Sequence, residues 1–426
     1  MYLSPEEQEM LNGAHGAAKK AAMELLVEYG EALGAEKMVP ISSACVGTPA
    51  GNPPALFHAL SVDPTDIDAI FSKLVLRSKE RIEICPLAVN SCTLASQASP
   101  EYYRRVAPEQ AEDAIAALER AHKFQCRIGI NTCNTCAPYL TGIVPARGEH
   151  CAWGESSAVI YANSVLGART NCEGVESYNA AALVGRIPYA GLHTDEGRRG
   201  THLIQVQDEP HSSLDWELMG YYIGKRIGVG IPVICGITTP ISNDDHKRFG
   251  SALATSGGVD MYHMVGYTPE APTMEAAFGT NMPKETIVYT DKERQEALDR
   301  LNFSQEKKVD LVLLGCPHYS IEQLKYAIDL MRGKKLKAEL YLMTAHQTKH
   351  LADIDGYTKI AEEAGAFILT DGCPPQVGLF PAGANTIATD AAKQAHYLPA
   401  FTPCTVHFGS TKQCIEAAIT GEWSET

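Results

Sequence analysis

The stretch from Val309 to Pro375 alternates strand and helix signals so regularly that one architecture becomes the default. "VDLVLLGCPHYS" is a buried strand running into a loop, "IEQLKYAIDLMRGK" a helix and "KAELYLMT" a strand. "GYTKIAEEAGA" is again a helix, and "FILTDGCPP" a strand ending in a second cysteine loop. Such a β-α-β-α-β series predicts a parallel sheet with right-handed crossovers. At the N-terminus, Ser4 is an N-cap, Pro5 stands at the first helical position and Glu7 completes a capping box. Apolar residues at Ala21, Ala22, Leu25, Leu26 and Tyr29 continue at helical spacing to a stop at Gly30. Pro108 to Lys123 predicts a second amphipathic helix, and "CRIGINTC" after it a strand. Residues 151–260, rich in Gly, Ser, Ala and Asn, read as mixed α/β with functional loops. The fold class is therefore α/β with mainly parallel sheets, in regions 1–145, 146–300 and 301–426.

With 426 residues, 45% of them hydrophobic and 20% charged, the chain has ample material for two or three globular domains. A formal net charge of −15 argues against a nucleic-acid or anionic-lipid surface, though a local Arg/Lys cluster can still bind a small anion. "MYLSPEEQEMLNGAHG" has neither a basic nor an apolar leader segment, and no apolar run reaches the length of a membrane span. The expected compartment is the cytoplasm, where the 13 cysteines stay reduced and do not form a disulfide framework.

Three cysteines share one context. Cys136 ("TCAPY"), Cys316 ("GCPHY") and Cys373 ("GCPPQ") each lie just beyond a predicted strand, beside or one residue from a Pro. Strands deliver side chains rigidly to a sheet edge, where ligands bind in open α/β sheets, and a Pro stops regular pairing. Three such loops can bring three thiolates together. Without an obvious fourth ligand, they suggest an iron–sulfur cluster with one iron left open. A structural zinc site wants four ligands, commonly in two short pairs, and Cys133-Asn-Thr-Cys136 is the one C-x-x-C present. A redox pair wants its first Cys ahead of a helix, which "NTCNTCAPYLTG" does not resemble. The competing reading is that these are buried structural thiols.

A second constellation spans residues 145–202. Ser156 to Val165 reads as a helix with Glu155 and the Ser156 and Ser157 N–H groups at its start, an anion-binding arrangement. Asn163, Ser164, Arg169 and Thr170 follow, and "GLHTDEGRRGTH" adds His193, Arg198 and Arg199 in a Gly-bounded loop. An Arg fork suits a substrate carboxylate, while ordinary ion pairing is the alternative for each taken singly. Lys393, His396 and Tyr397 fall one turn apart if "TDAAKQAHY" is helical.

Nearly end to end, the chain resembles the aconitase X family, specifically the large subunit of its two-chain members. The likeness is carried by "YLSPEEQEMLNG", "TCAPYLTGIVPARGEH", "WGESSAVIYANSVLGARTN", "GRIPYAGLHTDEGRRG", "LGCPHYSIEQL", "TDGCPP" and "CIEAAITGEW". The resemblance implies a hydro-lyase with aconitase-like α/β domains around an iron–sulfur cluster held by Cys136, Cys316 and Cys373. Members dehydrate cis-3-hydroxy-L-proline or mevalonate 5-phosphate, and a "swivel" domain is fused or separate. Since the chain ends at "GEWSET", a separate small swivel subunit is expected. Two departures bear on substrate contacts. Residues 43–60 lack the family's Ser/Tyr/Gly-rich pattern, and Ala391 stands where a Ser is expected.

Both substrates are β-hydroxy carboxylates, so the expected reaction is loss of the α-proton and of the β-hydroxyl. Arg169, or Arg198 and Arg199, would hold the carboxylate, with Ser156, Asn163, Ser164 and Thr170 as further contacts. His193, Glu155 and Lys393 are the candidates for proton transfer, unless the base comes from the small subunit. Hydroxyproline is the favoured substrate. Rival readings are a zinc hydrolase using Cys133, Cys136 and His150, and an iron- or redox-sensing binding module.

Overall fold

The computed structural model describes residues 1–47, 62–95 and 97–424. Most of the unusual segment 43–60 lies outside the described residues. The first helix, Pro5–Leu11, has the expected cap: Glu7 N–H donates to Ser4 Oγ, and Ser4 N–H to the Glu7 carboxylate. A second helix, Ala17–Ala32, runs past the expected stop at Gly30. Gly30 is instead a contact point, since a side-chain carbon there would come within 3.1 Å of both Met1 and Pro188.

In the N-terminal region the strands are β1 (Met38–Pro40), β2 (Ser43–Val46), β3 (Asn90–Thr93), β4 (Ile130–Asn131), β5 (Cys151–Ala152) and β6 (Arg186–Pro188). β2 to β5 form a parallel sheet in the order β4-β3-β2-β5, and β1 pairs antiparallel with β6. This region thus draws on chain beyond the expected 1–145. The predicted strand "CRIGINTC" is helix over its first three residues and strand over only two. Ala111–Ile128 continues through Cys126-Arg127-Ile128 to a left-handed cap at Gly129, leaving two residues for β4. Ile128 supplies the reason: it is fully buried on the helix's apolar face.

A second parallel sheet follows the order β10-β7-β8-β9, from β7 (His202–Val206), β8 (Pro232–Cys235), β9 (His263–Met264) and β10 (Thr286–Tyr289). Its helices Ser213–Ile227 and Asn243–Gly257 meet backbone to backbone. A side-chain carbon at Gly220 would come within 2.4 Å of the Phe249 carbonyl oxygen.

The C-terminal series folds as its pattern predicts. β11 (Leu311–Tyr319), β12 (Glu339–Thr344), β13 (Phe367–Leu369), β14 (Thr386–Thr389) and β15 (Thr405–Phe408) form one parallel sheet ordered β13-β12-β11-β14-β15. Its near-continuous Val/Leu/Ile strands are covered by apolar clusters on both faces. The chain runs outward from β11 to β13 and then returns to β14 on the other side. The crevice at the carboxyl ends of β11 and β14 is therefore a topological switch point. Among the described residues no helix is long and apolar enough to cross a membrane.

Candidate active site

At that switch point lies a cavity of about 330 Å³, lined by Cys136, Cys316, Cys373, Glu155, His318 and Lys393 among others. Each cysteine arrives from a different segment, and Cys316 lies within β11 rather than just beyond it as expected. Cys136 follows β4, and Cys373 caps the short helix Pro374–Val377. Cys316 stands where the β11–β12 pairing slips after Leu314. A bare-backbone residue precedes two of them for steric reasons. A side-chain carbon at Gly315 would lie 2.2 Å from the Met343 carbonyl oxygen, and one at Gly372 only 1.6 Å from that of Gln97.

Residues two places ahead of Cys136 and Cys373 are also unusual. Asn134 and Asp371 hold left-handed backbone, at φ 43° and 74°. Asn134 Nδ2 donates to Asp371 Oδ1 at 2.7 Å, which His346 Nε2 also meets at 2.6 Å. Asn134 is further tied to Thr93 on β3, whose hydroxyl accepts from its backbone N–H and donates to its side-chain oxygen.

The donor set fits a soft, positively charged group. Burial first, then Glu155, push the Cys136 thiol up to about 11; burial likewise pushes Cys373 up to about 12 and Cys316 well above its ordinary value. A cation bound among them reverses that balance and favours the thiolates. Among the described residues no three His, Cys, Asp or Glu converge closely enough to hold a single ion. Three thiols lining one cavity are soft donors of the kind an iron–sulfur cluster takes.

In the same cavity, Lys393 Nζ bonds Glu155 Oε1 and Ser156 Oγ, while Ser157 Oγ donates to Glu155 Oε1 at 3.0 Å. Burial alone would lower the Lys393 ammonium, but Glu155 and then Cys316 outweigh it and hold it above the ordinary lysine value. For Glu155, burial raises and Lys393 lowers, and the net is a carboxyl below its usual range. The pair is ionic. The helix behind it, Ser156–Tyr161, continues as a π-turn over Ala162–Leu166 and ends at Gly167.

The remaining expected site residues are not brought to this cavity. Arg198 forks onto Glu270 and also bonds Asn163 and the Leu192 carbonyl. Asn163 holds the Thr170 and Asp260 carbonyls, and Ser164 Oγ accepts from the Tyr262 N–H. Arg169 bonds the His193 carbonyl and Asp195, and Arg199 bonds Thr280 and Glu196. His193, fully buried, faces His150 with the two Nδ1 atoms 3.0 Å apart. The carboxylate clamp expected of these arginines is thus absent from the cavity; each is paired with a protein carboxylate instead. Nor do Cys133, Cys136 and His150 gather as a zinc site would need. Cys133 is buried near Gln347, away from the cavity lining. Of the expected helical trio, Lys393 and Tyr397 line the cavity, whereas His396 bonds the Tyr221 hydroxyl.

Sequence reasoning missed His318 and Gln376. Both follow a cavity cysteine by two or three residues, and that proximity in the Pro-flanked loops is the signal that could have found them.

The first, second and third domains of aconitase X match residues 1–196, 200–299 and 309–420. The phosphomevalonate dehydratase large subunit of Methanocaldococcus jannaschii is 34% identical, covering 98% of this chain and 100% of that protein. A cis-3-hydroxy-L-proline dehydratase of Hypocrea jecorina is 33% identical over 98% of this chain and 69% of its own length. The crystal structure of Thermococcus kodakaraensis aconitase X in its holo-form superposes with a TM-score of 0.81 at 32% identity, covering 98% of this chain and 100% of that one. With three matched domains, end-to-end relatives and a shared fold, the chain belongs to the aconitase X family of hydro-lyases.

Proposed function

We propose that the chain is the large, catalytic subunit of an iron–sulfur hydro-lyase that dehydrates cis-3-hydroxy-L-proline to Δ1-pyrroline-2-carboxylate. The observation that carries this reading is the cavity itself, lined by three thiols together with the Lys393–Glu155 pair. Cys136, Cys316 and Cys373 would hold the cluster, whose open iron supplies Lewis acidity toward the β-hydroxyl when bound.

The chain's own groups do the rest. Lys393, the one Lys or Arg among the described residues lining the cavity, binds the substrate carboxylate and stabilises the charge that builds there as the α-proton leaves. Once Lys393 turns to the substrate, Glu155 is freed to accept that proton. Ser156 and Ser157 hold the pair in place. Ala95, Pro375, Tyr397 and Phe401 form an apolar wall that suits a compact saturated ring. A lone ammonium matches one carboxylate better than a carboxylate and a phosphate together. An ammonium and carboxylate aimed into the cavity also distinguish an enzyme from a mere iron sensor.

Relatives named "large subunit" support a second, smaller swivel chain closing over the cavity, where exclusion of water strengthens each polar contact. The cytoplasm, which keeps thiols reduced, is the compartment that suits this reading. A second reading, dehydration of mevalonate 5-phosphate, is favoured by one observation. Relatives of that name are spanned along 94–100% of their length in five cases, against 69% for two hydroxyproline enzymes. Assaying the anaerobically reconstituted two-chain enzyme on both compounds decides: turnover of hydroxyproline alone supports the first reading, turnover of mevalonate 5-phosphate alone the second. Iron-loaded enzyme inert on both contradicts each.

A further inference from the structure

His318 touches all three cysteine segments. It sits two residues beyond Cys316 and is 1% exposed. Its backbone N–H donates to Cys136 Sγ at 3.2 Å. Its ring Nδ1 lies 3.0 Å from Thr135 Oγ1, and its Nε2 lies 3.4 Å from the Gly372 carbonyl oxygen. Thr135 and Gly372 are the residues immediately ahead of Cys136 and Cys373.

The hydrogen-bond directions form a consistent chain. A carbonyl oxygen only accepts, so Nε2 carries the ring proton and donates to Gly372. Nδ1 then accepts, and Thr135 Oγ1 donates to it while itself accepting from the Ala137 N–H at 3.1 Å. The His318 carbonyl is also engaged, by Lys247 Nζ at 2.9 Å. Lys247 is almost wholly buried and is anchored by Asp244 at 3.1 Å. The peptide and the ring are therefore fixed from four directions. No flexible or aliphatic residue reproduces a rigid donor and acceptor on opposite sides of one ring.

We propose that His318 is a positioning residue that sets the three thiols at fixed mutual distances in the metal-free protein, so that a cluster meets a prepared site; this rests on the cluster reading above. Ligands held by rigid neighbours lose little freedom on binding, whereas loose ones lose affinity.

The test compares wild type with His318→Ala, Thr135→Val and Thr135→Ser. In metal-free protein, residue-resolved alkylation by N-ethylmaleimide is followed by mass spectrometry, with the fully buried Cys414 as an internal reference for global opening. After anaerobic reconstitution, iron and sulfide content, visible spectrum and the rate of iron loss to a chelator are recorded. Expected for His318→Ala is alkylation of Cys136, Cys316 and Cys373 raised about tenfold relative to Cys414, the scale of one lost buried hydrogen bond, and similarly faster iron loss. Thr135→Val should move the same way, and Thr135→Ser should restore wild-type values. If His318→Ala fails to fold, the Thr135 pair decides alone. Alkylation that rises no more than that of Cys414, or iron held as firmly as in wild type, overturns the proposal. Wild type that takes up no iron and sulfide refutes the cluster reading instead, and the alkylation result still judges the loop claim.

Discussion

Asn134 donates a 2.7 Å side-chain hydrogen bond to Asp371, and both residues hold left-handed backbone two positions ahead of a cavity cysteine. Each such conformation costs on the order of 1 kcal/mol for a residue with a side chain, less for Asn and Asp, and persists because neighbours enforce it. The bond links the Cys136 and Cys373 loops across strands far apart in sequence. Asn134→Ala removes the bond while keeping the conformational cost, and should destabilise the fold by about 1–3 kcal/mol. Asn134→Gly relieves the backbone and should cost less. Urea denaturation of the metal-free chain measures both; equal losses would show that the left-handed backbone contributes nothing.

Arg248 carries the largest expected loss of stability. Nearly buried, it bonds Glu217 at 2.8 Å and Asp390 at 2.7 Å, joining the helix pair of the second sheet to the carboxyl end of β14. Burial, set against Arg248, leaves Glu217 pushed up to about 8. Arg248→Met leaves buried Asp390 without its cation and Glu217 without its donor, and should cost about 3–5 kcal/mol. Arg248→Lys keeps the charge but cannot fork, so an intermediate loss is expected. Thermal unfolding of the three proteins gives the order; a Met variant as stable as wild type would refute it.

Acid sensitivity should trace partly to His193. Burial above all, then His150, Arg198 and Arg169, push it down to about 3. A histidine whose pKa is depressed by folding binds its proton more readily when unfolded. Its contribution is therefore complete above about pH 6.5 and is lost as pH falls from there toward 3, by up to about 1.4 kcal/mol per pH unit. His193→Gln should show a shallower fall in stability between neutral and mildly acidic pH. Urea midpoints across that range are the measurement, and an unchanged slope would assign the sensitivity elsewhere.

Much of this was legible from the chain, and the exceptions have physical causes. The C-terminal sheet announced itself because strands buried on both faces must be continuous Val/Leu/Ile runs, separated by amphipathic helices. Cys136, Cys316 and Cys373 meet at one cavity because two parallel sheets present the carboxyl ends of their strands to it. The short strand β4 was overestimated because Cys126-Arg127-Ile128 carries no signal separating a helix end from a strand. Arg169, Arg198 and Arg199 were misplaced for a different reason. An Arg in a Gly-rich loop looks alike whether it meets a substrate or a protein carboxylate, and Asp195, Glu270 and Glu196 claim them here. The shared offset of Asn134 and Asp371 in "CNTC" and "TDGC" was readable, because both residue types tolerate left-handed backbone.

Lys393 is the cavity's cation, and its loss should separate chemistry from folding. Lys393→Gln keeps a hydrogen-bond donor for Glu155 and should lower kcat/KM by roughly 10²–10³, the scale of losing one charge-stabilising group. Steady-state kinetics of the reconstituted two-chain enzyme, with iron content matched to wild type, is the check. A loss below tenfold would remove Lys393 from the chemistry.

Cys136, Cys316 and Cys373, and not Cys133, should hold an iron–sulfur cluster. Anaerobic reconstitution of wild type and of the four single Cys→Ser variants, followed by iron and acid-labile sulfide analysis, addresses it directly. Iron and sulfide together in wild type and Cys133→Ser, with both sharply reduced in Cys136→Ser, Cys316→Ser and Cys373→Ser, is the expected result. Iron and sulfide retained in full by Cys316→Ser, or lost on changing Cys133 alone, would contradict it.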